Sequence, residues 1–216
     1  MLAKVLSCAV VGLEGAIVEV EADISPGLPS FTIVGLPDAA VQEARERVRA
    51  AIRNSGCTFP MRRIVVNLAP ANLKKAGPAY DLPIAVGILL SSEQVQAGVS
   101  QTLILGELSL DGGLRHTNGI LPMVAVAHRD GLTSVIVPDT DAREASLVEG
   151  TNVTPITSLS QLVSYFRGEI PPPEYNADEV PEYTLPPSAI TDLENADIIK
   201  AHHVAEAIQY RPRRMG

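Results

Sequence analysis

The stretch Val18-Glu19-Val20-Glu21-Ala22-Asp23-Ile24 alternates aliphatic and acidic residues without a break. In an extended strand, side chains point to opposite faces at every step, so the acids share one face and the aliphatic groups the other. A helix of the same residues would scatter the acids around its circumference. Ala16–Ile24 therefore reads as a strand with its acids toward solvent and its Val, Ala and Ile side chains toward a core. Lys4–Leu13 is a second apolar, Val-rich run, and Glu14-Gly15 between the two is a hairpin signal. Pro26-Gly27-Leu28-Pro29 turns the chain, and Phe31–Val34 reads as a third strand.

Gly35-Leu36-Pro37-Asp38 leads into a helix, with Asp38 placed to cap its start and Gly56 its end. Val41, Ala44, Val48, Ala51 and Ile52 recur at helical spacing and form one apolar stripe. Arg45, Arg49 and Arg53 recur every four residues on another face, and Glu43 with Arg47 forms an i,i+4 pair in the favoured order. Ile64–Leu68 is a short buried strand, Ala69–Pro78 a loop, and Asp81–Ser91 a helix that tolerates Pro83 near its start. Leu103–Leu110 and Leu114–His116 flank Asp111-Gly112-Gly113 as a second hairpin. A helix over Pro122–Asp130, a strand over Ser134–Val137 and capping-box helices opening at Asp141–Glu144 and Ser158–Gln161 follow, the last ending at Gly168. The result is a two-layer mixture of sheet and helices.

After Gly168 the character changes. Residues 168–187 hold six prolines, including Pro171-Pro172-Pro173, and five acids (Glu169, Glu174, Asp178, Glu179, Glu182) with no Lys or Arg, the composition of an extended linker. Residues 188–216 balance four bases against four acids, with one short amphipathic helix expected around Val204–Arg211. Three parts are therefore expected: a folded domain over 1–168, an acidic proline-rich linker over 169–187, and a short helical remnant over 188–216.

Composition excludes several functions. With 46% apolar and 19% charged residues among 216, the bulk of the chain folds as a globule. The net charge of -8 argues against a free-standing nucleic-acid binder. Because the linker carries five of those negative charges and the tail none, residues 1–168 are left at -3. Two cysteines, Cys8 and Cys57, cannot build a disulfide scaffold or a four-thiolate zinc site. Neighbouring His202 and His203 on a helix point about 100° apart, so no metal site is expected. No GxxxxGK[ST] or GxGxxG phosphate loop is present, and no cofactor is expected. The longest apolar run, Leu82–Leu90, is too short to cross a bilayer, and no signal segment opens the chain. The expectation is a cytoplasmic protein with reduced thiols and no membrane contact.

Two features could make contacts. Lys74 and Lys75 stand beside Gly77-Pro78, which opens a helix whose exposed amides favour anions; the plainer reading is a capped helix start with solvated lysines. The ridge Arg45, Arg49, Arg53 could face an acidic partner or a nucleic-acid backbone; the plainer reading is a solvated helix face.

Val18–Asp38, Asn67–Lys75 with Gly77–Leu90, Gly119-Ile120-Leu121-Pro122-Met123 and Val135-Ile136-Val137-Pro138 closely resemble the magnesium-chelatase-like AAA+ proteins of the ComM/YifB type. The resemblance implies that residues 1–168 have the fold of the Lon proteolytic domain, shared with a domain of a small-subunit ribosomal protein. That is an α/β fold with a βββαβα core and a left-handed crossover. It also supplies a test, because Lon-type proteases use a Ser–Lys dyad. At the positions that correspond, this chain has Ala79, after Gly77-Pro78, and Pro122, which has no amine. Neither half of the dyad is present. The family's ATPase motifs are also missing, while Ile190–Glu194 and His203–Arg211 resemble the end of its C-terminal lid.

The resemblance implies a non-catalytic interaction or regulatory domain from a family linked to DNA branch migration in competence. Its partner would be a full-length or split AAA+ motor protein, and it would be a monomer or weak homo-oligomer. One alternative is a DNA-contacting module using Arg45, Arg49, Arg53, Lys74 and Lys75. A second is a residual Lon-like peptidase that recruits Ser91, Ser92 or Lys75.

Overall fold

The acid-alternating strand lies inside a seven-stranded sheet. The computed structural model describes residues 2–11 and 14–175, with the side chain of Glu14 left aside. The expected linker beyond residue 175 and the expected helix in 188–216 lie outside the described residues. Strand β1 (Leu2–Val11) pairs antiparallel with β2 (Glu14–Ser25), with Val5 opposite Val20 and Lys4 opposite Glu21. Val18, Val20 and Ala22 are fully buried, as the alternation requires. The acidic face is half-buried and paired: Lys4 Nζ lies 2.8 Å from Glu19 and 3.1 Å from Glu21, and Asn67 donates to Glu21 at 2.8 Å. Cross-strand charge pairing with Lys4 lets Glu19 and Glu21 share one face without mutual repulsion dominating.

Strand β3 (Ser30–Val34) leads through α1 (Ala39–Asn54) to β4 (Arg63–Ala69), which lies parallel to β3 and antiparallel to β2. Asp38 caps α1 by accepting from Val41 N at 2.9 Å, and the five stripe residues from Val41 to Ile52 are its buried face. The turn before the cap needs Gly35, which has φ +100°; a Cβ there would sit 2.2 Å from Leu68 O. After a single 3₁₀ turn at Pro78–Tyr80 comes α2 (Asp81–Ser91), buried on nearly every side. Gly87 lets it lie close on β2, since a Cβ there would be 3.1 Å from Ala22 Cβ.

The expected strand over Leu103–Leu110 is two elements: β5 (Thr102–Ile104) in the main sheet and β6 (Glu107–Leu108), which pairs with β7 (Leu114–Arg115) in a separate two-stranded ribbon. The break falls at Gly106, where a Cβ would meet Leu114 Cδ2 at 2.9 Å and Leu82 at 3.2 Å, so packing against α2 turns the chain out of the sheet. Helix α3 (Ile120–Arg129), β8 (Ser134–Pro138), the short α4 (Ala142–Ser146), β9 (Asn152–Ile156) and α5 (Leu159–Phe166) complete the order. The sheet order is β3-β4-β2-β1-β5-β8-β9, with β1, β5, β8 and β9 mutually parallel. This is the expected mixed α/β architecture.

Two cores flank the sheet. One gathers Val20, Val48, Ile64, Leu82, Ile136 and Leu162 under α1, α2 and α5. The other gathers Leu103, Ile120, Val124, Val135 and Ala142 under α3 and α4. Strands β1 and β2 thus lie between the two cores, with α2 packed on both strands in the first and α3 on both in the second, while α4 and α5 pack against β9.

A buried ion pair joins the helical layer to the ribbon. Arg47 turns away from the arginine ridge and grips Asp81, with Nε 2.6 Å from Oδ2 and Nη2 3.0 Å from Oδ1; Glu43 stays at 3.7 Å. Asp81 is fully buried and also accepts from Leu108 N at 3.2 Å. The fork geometry fits a planar guanidinium against a carboxylate. Asp81 holds the Arg47 guanidinium above its ordinary range.

Candidate functional site

Gly77-Pro78-Ala79-Tyr80, the approach to α2, forms one wall of a cleft of about 250 Å³. Cys8, Ala9 and Val10 of β1 lie across from it, and His116, Thr117, Asn118 and Met123 close the other side. The Gly77 corner is held by Asp38, whose second carboxylate oxygen accepts from Gly77 N at 3.2 Å while the first caps α1. Asp38 N donates to Lys75 O at 2.9 Å and Lys75 N to Leu36 O at 3.2 Å, so the Gly35–Asp38 and Leu73–Gly77 loops are bound together.

The expected dyad positions sit at this cleft and near it. Ala79 lines the wall and is buried, with only a methyl group to present. Pro122 lies half-buried in the first turn of α3. Cys8 is the thiol in the cleft; burial pushes its pKa up to about 11, so it is not a thiolate at neutral pH.

A histidine–carboxylate pair, not read from the sequence, stands on the opposite side. His116 Nδ1 lies 2.5 Å from Asp141 Oδ1, and Thr117 N donates to Asp141 Oδ2 at 2.8 Å. The hydrogen bond to buried Asp141 raises the His116 pKa. Asp141 was expected to cap a helix. A short helix does follow it, but its carboxylate is used by His116 and Thr117, and Glu144 reaches across to accept from Leu121 N at 2.8 Å. The Asp141–Glu144 spacing therefore marks where α4 and the turn before it meet α3 instead of a capping box. Only the tertiary fold brings residues 25 positions apart into this pair.

The candidate contact residues do not form one surface. Arg45 is exposed and folds back onto Gln42 O at 3.1 Å, and Arg53 is exposed in the last turn of α1. Arg49 lies over the Phe59 ring, 5.2 Å from its centroid, and 3.7 Å from Glu46. Lys74 is exposed, but Lys75 is fully buried and its Nζ donates to Pro70 O. The expectation of a solvated or partner-facing Lys75 is corrected: the backbone pairing of Pro37 with Lys75 draws this residue inside, and burial lowers its pKa. Ser91, a candidate nucleophile, is buried at the end of α2, away from the residues that line the cleft.

The mixed α/β sheet with its flanking helices is the fold expected of the Lon-like class, and the chain is 26% identical over 169 residues to the Lon protease of Mycolicibacterium smegmatis, covering 72% of this chain and 21% of that one. Residues 20–141 match the family described as subunit ChlI of Mg-chelatase, and the chain belongs to that family. An uncharacterized protein of Mycobacterium tuberculosis is 49% identical over 168 residues, 77% of this chain and 33% of the relative. The competence protein ComM of Haemophilus influenzae is 38% identical over 208 residues, 96% of this chain and 40% of ComM. YifB of Escherichia coli is 39% identical over 162 residues, 74% and 32% respectively. The chain spans 32% to 40% of the length of these relatives. Among the described residues no helix is long and apolar enough to cross a membrane.

Proposed function

We propose that this chain is a non-catalytic interaction domain of a magnesium-chelatase-like protein, acting in the cytoplasm on a motor protein of the same family, whole or split. The observation that carries this reading is the buried methyl of Ala79 at the wall of a well-formed cleft. A hydrolytic site of the Lon type needs a nucleophile there and an amine to activate it, and neither Ala79 nor Pro122 supplies one. Lys75, the amine that a residual peptidase would recruit, is committed to Pro70 O. The purified chain, incubated with casein and with ATP, is expected to turn over neither. Turnover that co-purifies with the chain and disappears in Lys75→Ala would overturn the proposal. In size-exclusion chromatography the chain is expected to co-elute with a full-length relative that carries the motor; separate elution at micromolar concentrations would count against that partner.

A second reading is a DNA-contacting module. It is favoured by Arg45, Arg53 and Lys74, which have no carboxylate partner among the described residues. It predicts salt-sensitive binding of the full chain to single-stranded or forked DNA, and a gel shift with no complex at low salt would remove it.

A further inference from the structure

Strand β3 forms one rim of the sheet, with β4 as its single neighbour among the described residues. Along a strand, the N–H and C=O groups of successive residues point alternately to its two sides. Ser30 N donates to Arg62 O at 3.3 Å, and Ser30 lies opposite Arg63 in the parallel register. Ser30, Thr32 and Val34 therefore turn their backbone groups to β4, and Phe31 and Ile33 turn theirs outward. Ile33 O accordingly accepts from Gln42 Nε2 of α1, at 3.4 Å, and not from β4.

A rim with free backbone groups templates another strand, and sheets defend such rims with lysines, other charges or prolines. The opposite rim, β9, carries Pro155. Ser30–Val34 carries none of these, and no charged residue occurs from Gly27 to Pro37. Exposed leucines flank it instead: Leu28 is 89% exposed and Leu36 57%. Leu36 holds φ +56°, a conformation that is strained for a bulky residue. Its loop is pinned by Lys75 N donating to Leu36 O at 3.2 Å and Asp38 N donating to Lys75 O at 2.9 Å. A large apolar side chain is thus held out in solvent against a backbone cost.

We propose that the β3 rim pairs antiparallel with the β3 rim of a second copy of this chain, about a two-fold axis at Thr32. In that register Phe31 faces Ile33 of the second copy and Ile33 faces its Phe31, so every outward N–H and C=O enters a hydrogen-bonded pair. Centring on Phe31 would set Ile33 against Pro29, which has no N–H. Centring on Ile33 would set Phe31 against Gly35, whose φ of +100° leaves the strand. Leu28 and Leu36 stand at equal distances in sequence from Thr32, so the axis brings Leu28 of each copy to Leu36 of the other. Like residues converge on a two-fold axis, where a charge would oppose its own copy, and this segment has no charge to oppose. The contact closes at two copies, and its small size makes it weak and concentration-dependent.

Sedimentation equilibrium of the full chain from about 5 to 500 µM, a range suited to a small interface, is expected to show a monomer–dimer equilibrium. Thr32 is exposed, and Thr32→Lys sets two ammonium groups against each other on the axis. It should weaken the dimer at least about tenfold with an unchanged far-UV circular dichroism spectrum. Leu36→Gly, which suits the backbone there, should weaken it about threefold or more while the chain stays folded. Thr32→Cys reads the register, because facing residues of a pair without mutual hydrogen bonds have Cα atoms about 4.5 Å apart, within disulfide reach. With oxidised glutathione it should form a disulfide-linked dimer, whereas Ser30→Cys, which faces Val34, should not; Cys8 and Cys57 are buried. Monomer at every concentration, association undiminished by both Thr32→Lys and Leu36→Gly, or equal cross-linking of Ser30→Cys and Thr32→Cys would each overturn the proposal. If the chain stays monomeric yet binds a full-length relative, and Thr32→Lys abolishes that binding, the rim belongs to that partner and the two-fold pairing is wrong.

Discussion

Arg47→Met removes the guanidinium from a carboxylate that cannot reach water. Asp81 is fully buried, and the Arg47 side chain is 19% exposed, so the pair is shielded from solvent screening. The change deletes contacts at 2.6 and 3.0 Å and leaves Leu108 N, at 3.2 Å, as the remaining donor to Asp81. Stranding a buried charge in this way costs about 3–5 kcal/mol, against a total stability of about 5–15 kcal/mol for a domain of ordinary size. With a urea m-value of about 2 kcal/mol/M, the unfolding midpoint falls by about 2 M. The double variant Arg47→Met/Asp81→Leu removes the stranded charge and leaves Leu108 N–H without an acceptor, a residual cost of about 1–3 kcal/mol. It is therefore more stable than Arg47→Met alone, with a coupling energy of about 2 kcal/mol. Urea titrations of the parent, both single variants and the double variant, followed by far-UV circular dichroism, complete the cycle. A loss under about 1 kcal/mol in Arg47→Met, or additive single effects, would refute the assignment of this pair as the tie between α1, α2 and the ribbon.

Asp38→Ala removes the cap of α1 and the acceptor for Gly77 N together, and is expected to cost about 1–2 kcal/mol in the same titration. His116 binds its proton more tightly in the folded chain than at its ordinary value of 6.5, so its contribution is fully present below that pH and is lost as pH rises through the raised folded value. A pH series of melting temperatures for His116→Gln should lack that decline; an unchanged profile would discount the Asp141 pairing. Lys75 titrates the other way. Its folded value is lowered by burial, so stability rises with pH from that value toward 10.5, and Lys75→Met, which buries no charge, should flatten this rise with little loss at neutral pH. Cys8 is expected to resist iodoacetamide at neutral pH until the chain is unfolded, as mass spectrometry of the alkylated protein would record.

Much of the architecture follows from local pattern. The alternation at Val18–Ile24, the apolar stripe of α1, the Asp38 cap and the Asn-Ser-Gly end of that helix are properties of neighbouring residues, and neighbouring residues meet in any fold that keeps the element. The absence of a nucleophile at Ala79 and of an amine at Pro122 is likewise a matter of residue identity. Where the sequence reading stopped was at interactions between distant positions. Arg47 carries the same charge as Arg45 and Arg49, and its helical pairing with Glu43 is a sound local inference; that it turns inward depends on Asp81, 34 residues further on. The run Leu103–Leu110 has the composition of one strand, yet contact with Leu82 and Leu114 breaks it at Gly106. Lys74 and Lys75 are adjacent and chemically identical, and only the backbone pairing at Pro37 decides which one is buried. The sequence by itself determined most of the elements, their faces and the residue identities at Ala79 and Pro122. Tertiary structure alone decided which polar groups meet: burial raises the cost of an unpaired charge or hydroxyl, and burial is set by contacts that no local window contains.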